Sequence, residues 1–254
     1  GFAFGEGLAE VAAANPGTIY ANVDGFYENA TPNVLFLGFA EHEGSFLVGA
    51  AAALKSESGI IGFIGGQEID LIKKFEAGYT AGAKYINPDI VVNVQYLGAA
   101  GDNNAWNSPD KAKEIANGWY ADGADVVYTA AGGSGNGTIA AAVESGKWAI
   151  GVDSDQWATA TPEQQAHILT SMLKRVDVAV FETVKAAQDG TLAGGFATYD
   201  LKVDGVGYST SGGYLDDVKE WLGLLTEGKR QLDTGADTTP AVSEDGPLFT
   251  GQGS

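Results

Sequence analysis

KWAIGVDSDQ, residues 147–156, decides the fold. Trp148, Ala149, Ile150 and Val152 form a short apolar run with β-branched members, the pattern of a strand buried on both faces. Gly151 admits a close neighbour, and Asp153 and Asp155 stand where the run ends. Ligands of open α/β sheets sit beyond the carboxyl ends of the strands, which makes Asp153 a candidate ligand-facing carboxylate. The same position also suits a helix N-cap or turn aspartate.

Outward from this run the chain alternates. Apolar runs at 60–64, 90–97 and 125–130 predict strands, and segments with helical spacing at 43–54, 71–84, 111–121, from about 138, and at 176–187 predict helices between and after them. Strands separated by helices of ten or more residues imply right-handed crossovers and a parallel sheet. The runs 18–23 and 33–39 predict strands of a second sheet, and 214–225 a last helix. Beyond about Gln231 the Thr, Gly, Asp and Pro content predicts an irregular tail.

The chain has 254 residues, 44% of them hydrophobic, enough for two lobes with proper cores. A net charge of −19 argues against a nucleic-acid surface, which needs clustered Lys and Arg. Cysteine is absent, which rules out disulfides, thiolate metal sites and a cysteine nucleophile. No stretch is long and apolar enough for a membrane helix, and the sequence shows no signal peptide.

Few stretches carry chemistry. AAGGSGNG (130–137) joins a strand to a helix, so its glycines offer either backbone N–H groups to a polar ligand or a tight packing turn. It matches neither a Walker loop nor a dinucleotide fingerprint. His42 and His167 are far apart and form no zinc motif. Asp153 and Asp155 lack the remaining ligands of a calcium loop. Asp24, Glu28, Glu41 and Glu43 read as scattered, solvated carboxylates, so no catalytic residue, metal or cofactor is expected. Phe2, Phe4 and Trp106 lie in or beside glycine-rich or polar loops, where an aromatic ring either stacks on a flat ligand or covers apolar surface.

GFAFGEGL (1–8), EHEGSFLVGAAAAL (41–54), GFIGG (62–66), KKFEAGYTAGAKYINPDI (73–90), ADVVYTAAGGSGNG (124–137), WAIGVDSDQ (148–156) and LTSMLKRVDVAVF (169–181) together resemble the BMP family, the PnrA-like substrate-binding lipoproteins of ABC transporters. The resemblance covers most of residues 1–208, and WAIGVDSDQ and SMLKRVDVAV are its most specific parts. It implies a two-lobed α/β fold of the periplasmic-binding-protein type I kind, with parallel sheets flanked by helices and ligand trapped at the hinge. It also implies a nucleoside ligand, purine in its best-known members, a membrane permease as partner, and no enzymatic activity. Carried over by residue, Asp153 resembles the carboxylate that accepts hydrogen bonds from ribose hydroxyls, and Lys202 the lysine that reaches the ribose. Gly132 and Gly133 fall on the turn lining the base, and Trp106 stands where the family has a stacking phenylalanine. Phe2 and Phe4 complete the candidate ligand-binding set.

The expected organisation is a first lobe at 1–57, a second lobe at 58–172, segments recrossing the hinge at 173–230 and the tail at 231–254. The resemblance implies a further βαβ unit of about 30 residues or more ahead of Gly1, which leaves the first lobe incomplete at its opening edge. It also implies an extracytoplasmic, membrane-associated protein whose lipid-bearing cysteine lies upstream. A sugar, a flavin or another ring compound on the same fold is the alternative ligand. A nucleoside-processing enzyme is the alternative activity, and it would need a partner for Asp153.

Overall fold

A computed structural model describes residues 1–25, 32–233, 240–243 and 246–251. Glu28 therefore lies outside the described residues. The elements in order are α1 (Gly5–Ala14), β1 (Tyr20–Val23), β2 (Val34–Phe39), α2 (Glu41–Lys55), β3 (Ile60–Gln67), α3 (Asp70–Ile86), β4 (Val91–Gly98), α4 (Pro109–Ala121), β5 (Val126–Ala130), α5 (Gly135–Ser145), β6 (Trp148–Asp153) and α6 (Pro162–Gln165). They continue with β7 (Ile168–Lys174), α7 (Val176–Gln188), β8 (Gly195–Tyr199), β9 (Val206–Tyr208), α8 (Lys219–Asp233), β10 (Pro240–Ser243) and β11 (Gly246–Gly251). Among the described residues no helix is long and apolar enough to cross a membrane.

The chain divides into two compact units. The first holds residues 1–40 and 175–206, and the second holds 41–174 and the described residues from 207 on. Helix α2, assigned by sequence to the first lobe, packs on α3 and β7 of the second unit.

In the first unit β1, β2 and β8 form a parallel sheet in the order β1-β2-β8. Val34 and Phe36 of β2 bury against Ala12 of α1, with Leu8 and Tyr20 packed around them. The Asn33 amide donates to the carbonyls of Ala12, Asn15 and Thr18 at 3.0, 3.1 and 2.8 Å. One side-chain amide thereby ties the end of α1 and the turn after it to the start of β2.

In the second unit six strands run in the order β4-β3-β5-β6-β7-β9, and the pairings β4–β3, β3–β5, β5–β6 and β6–β7 are all parallel. Every residue of β5, and every residue of β3 after Ile60, is buried. Such continuous burial explains why these strands read as unbroken apolar runs rather than alternating ones. The rings of Phe63, Tyr79 and Tyr128 fill the centre, with centroids 5.2–6.2 Å apart. The two expected sheets are thus present, with the expected strands in each.

Three local expectations need correction. Residues 214–218 form turns and the last helix begins only at Lys219, because Gly212 and Gly213 hold positive φ and the bonds that follow close after three residues. The apolar side of the stretch is still as expected, with Leu215 in the turns and Leu222 and Leu225 in the helix buried. The stretch past 231 is not wholly irregular, since β10 and β11 pair antiparallel. Val242 and Phe249 are residue types favoured in strands. Glycines 132–137 are not an open loop: residues 132–134 make a 3-10 turn and α5 starts at Gly135.

Candidate functional site

The parallel sheet of the second unit brings the carboxyl ends of its strands to one edge. From β3 the chain steps outward to β4, then returns across β3 to β5, β6 and β7. This reversal leaves a crevice between the carboxyl ends of β3 and β5, where open α/β sheets take their ligands.

Trp106 stands over that crevice. It is half-buried at the end of a turn, Asn103–Trp106, in the loop after β4. A Cβ on Gly66, near the end of β3, would fall 2.2 Å from its ring, so only glycine allows the ring to lie there. On the β5 side its carbonyl lies 3.3 Å from where Cβ atoms on Gly132 and Gly133 would be. The two glycines therefore seat the Trp106 backbone, and Gly132 holds a φ of +55° that favours glycine. A Cβ on Gly137 would fall 1.8 Å from the Pro109 carbonyl oxygen, so this glycine admits α4. The packing role, the second of the two sequence readings, explains these contacts.

Asp153 ends β6 with a φ of +66°, in the left-handed region that aspartate tolerates better than most residues. Its carboxylate is 50% exposed and lies 3.8 Å from the Lys174 ammonium, whose side chain is only 6% exposed. That ammonium, at the carboxyl end of β7, also sits 5.9 Å from the centre of the Phe75 ring. A half-open carboxylate is thus backed by a buried cation. Such an arrangement leaves carboxylate oxygens open to accept hydrogen bonds from a polar ligand. Burial pushes the Tyr128 phenol well above its ordinary range, and the negative charges of Asp153 and Glu41 push the same way, against a hydrogen bond with Ser45.

Asp155 has a different job. Ser211 donates to it at 2.5 Å, tying the turn Gln156–Thr159 to the turn Ser211–Gly213. Gln156 accepts from the Val152 amide at 2.9 Å, and its own amide donates to Ser171 at 3.1 Å. Gly151 makes room for these two side chains: a Cβ there would fall within 2.7 Å of both. The peptide turn after Asp153 is therefore held by side chains on β7 and beyond.

Trp106, Gly132, Gly133 and Asp153 are all at the carboxyl edge of the second unit. Two strand steps separate β3 from β6, about 10 Å at the usual interstrand spacing. Lys202, Phe2 and Phe4 belong to the first unit. Lys202 is exposed on the turn Leu201–Val203, which Asp200 caps. Phe2 and Phe4 are 40% and 67% exposed, so neither is core. Phe4 lines a cavity of about 560 Å³ with Leu8, Val11, Ala21 and Val23.

The expectation of solvated carboxylates fails for Glu41 and Glu43, which are 1% and 4% exposed. Both lie in the first turn of α2, where the helix dipole favours negative charge, and Lys74 approaches Glu41 at 3.5 Å. Lys174 was not singled out by sequence reasoning. Its sequence neighbourhood, ILTSML followed by Lys174 and Arg175, does not tell which of the two charges turns inward. His167 bonds the Lys147 carbonyl at 2.9 Å, a structural role.

The model of one protein family, the PnrA-like ABC transporter substrate-binding proteins (Bmp), matches residues 1–227. A relative in Listeria monocytogenes, named CD4+ T-cell-stimulating antigen, is 36% identical over 94% of this chain and 68% of its own length. The ABC transporter nucleoside-binding protein BmpA of Lactococcus lactis subsp. cremoris is 37% identical over 81% of this chain and 61% of its own. Among solved structures, an ABC transporter solute-binding protein from Aeropyrum pernix K1 superposes with a TM-score of 0.76 at 25% identity, covering 96% of this chain and 76% of that one.

Proposed function

The chain belongs to the PnrA-like (Bmp) family of ABC transporter substrate-binding proteins, and on that premise we propose that it captures nucleosides, purine nucleosides in particular, outside the cytoplasm and hands them to a membrane permease. Its fold is of the periplasmic-binding-protein type I kind, and its relatives are named as binding proteins and antigens rather than enzymes. A lipid anchor outside residues 1–254 is part of the same proposal.

The observation that carries the nucleoside reading is the pairing of Asp153 with Lys174 on the edge that also carries Trp106. A ligand reaching from one to the other needs an aromatic ring at one end and hydroxyls at the other. A carboxylate has two oxygens for a vicinal diol, and an indole offers its face to a flat base. The lactococcal relative, itself named nucleoside-binding, points the same way. Gly132 and Gly133 shape the base end of this site. Lys202, Phe2 and Phe4 stay candidate ligand contacts, to be tested one by one by alanine substitution.

Titration calorimetry tests the reading. Each charge-assisted hydrogen bond contributes about 1.5–3 kcal/mol, so Asp153→Ala should weaken a purine ribonucleoside by roughly ten- to a hundredfold. The 2′,3′-dideoxy analogue, which lacks the diol, should lose far less. Equal losses for the two ligands would remove Asp153 from ribose recognition. A sugar or flavin that stabilises the protein in a thermal-shift panel, where nucleosides do not, would replace the ligand class altogether.

A further inference from the structure

The loop that carries Trp106 is clamped from two sides by buried polar side chains. Ser134, fully buried in the turn after β5, donates from its hydroxyl to the Ala105 carbonyl at 2.9 Å and accepts from the Ser108 amide at 2.7 Å. These are backbone groups on either side of Trp106. Gln67, 2% exposed at the end of β3, uses both ends of its amide: the oxygen accepts from the Gly101 amide at 2.9 Å and the nitrogen donates to Asn103 at 3.1 Å. Within the loop, the Ser108 hydroxyl closes on the Asn104 carbonyl at 2.7 Å. The loop is thus bonded to β3 through one side chain and to the β5–α5 turn through another, across the crevice between those strands.

We propose that Ser134 is a positioning residue for ligand stacking, fixing the Trp106 ring over Gly66, with Gln67 as the second clamp. Neither side chain needs to touch ligand. An aromatic platform contributes most when its position is fixed before binding, because ordering a mobile loop would otherwise be charged against affinity. A hydroxyl that satisfies both an N–H and a C=O in a buried place fixes two backbone groups with one small side chain. The stacking part of this proposal rests on the nucleoside reading above, while the clamp itself does not.

The experiment therefore has two arms. In the first, amide hydrogen exchange is measured without ligand on the unsubstituted chain and on Ser134→Ala. Protection over residues 105–108 should fall by about tenfold or more, the effect of orphaning a buried amide, with the central strands β3 and β5 unchanged. Unchanged protection at 105–108 would overturn the clamp. In the second, purine nucleoside and free ribose are titrated into Ser134→Ala, Trp106→Ala and the double variant. Ser134→Ala should weaken the nucleoside roughly three- to tenfold, leave ribose unaffected, and add nothing in the Trp106→Ala background. A full additional loss in that background would show that Ser134 acts on binding by some route other than Trp106, which overturns the positioning role. If Trp106→Ala itself leaves nucleoside affinity unchanged, stacking is refuted and the exchange arm alone decides the clamp. Should Ser134→Ala fail to fold, Gln67→Met removes the other clamp and is read in the same way over residues 101–104.

Discussion

The two units cover their apolar surface very differently. In the second, the central strands β3 and β5 are sealed, and among the described residues the large apolar side chains left exposed are Val91 and Val94 on the edge strand β4. In the first, a three-stranded sheet leaves Phe4, Val11, Phe181, Val184 and Phe196 between 50% and 67% exposed, Phe181 being among the most open at 65%. Burial of apolar area is the main favourable term in folding. The second unit therefore holds most of what stabilises this chain, and the first sits at the low end of its stability range.

The largest expected effect breaks the second unit. Phe63 is fully buried and touches both Tyr79 and Tyr128. Phe63→Ala should cost about 3–5 kcal/mol, lost transfer energy plus a cavity that rigid strands cannot close. Urea unfolding followed by circular dichroism measures it. A loss below about 1 kcal/mol would mean that this core is much softer than its burial says.

That contrast was half legible in the sequence. Strands β3, β5 and β6 could be read because two-sided burial demands uninterrupted apolar residues, and IIGFI, VVY and WAIGV supply them. Asp153 could be read because it ends such a run. Lys174 and Glu41 could not, since a charged residue looks solvated until tertiary contacts bury it beside a partner. AAGGSGNG stayed ambiguous for a related reason. Glycine serves equally for a ligand-facing turn and for close packing, and only the approach of Pro109 and Trp106 makes the packing visible. Ser134, within that same stretch, gave no local sign of the two backbone groups that it bonds 26 and 29 residues away in sequence.

A smaller effect sharpens the comparison through pH. Burial pushes the phenols of Tyr79, Tyr120 and Tyr128 well above their ordinary range, helped in each by nearby charge or phenols, and all three belong to the second unit. Their folded pKa values are raised, so the unfolded chain loses these protons first, near pH 10. Their contribution is fully present below that pH and is lost as pH rises above it. The slope is about 1.4 kcal/mol per pH unit for each tyrosine. Between pH 10 and 11, where the unfolded phenol goes from half to mostly ionised, Tyr128→Phe should therefore reduce the fall in urea stability by about 1 kcal/mol. An unchanged slope would show that Tyr128 ionises as readily folded as unfolded.

The smallest effect is expected on the open face of α7. Val180, Phe181 and Val184 lie near one another on that helix, and all three are exposed. A side chain that folding leaves 65% exposed has little transfer energy to lose. Serine is about as good a helix former as the residue it would replace. Phe181→Ser should then change urea stability by no more than about 0.5 kcal/mol, the usual range for surface positions. It should also reduce self-association, because an exposed aromatic beside two valines is a sticky patch. Light scattering at rising protein concentration reads the second effect independently of the first. A loss of 2 kcal/mol or more would show that Phe181 is covered in solution by protein that the described residues do not include. The contrast between a sealed second unit and an open first unit would then be a property of these residues alone, not of the protein at work.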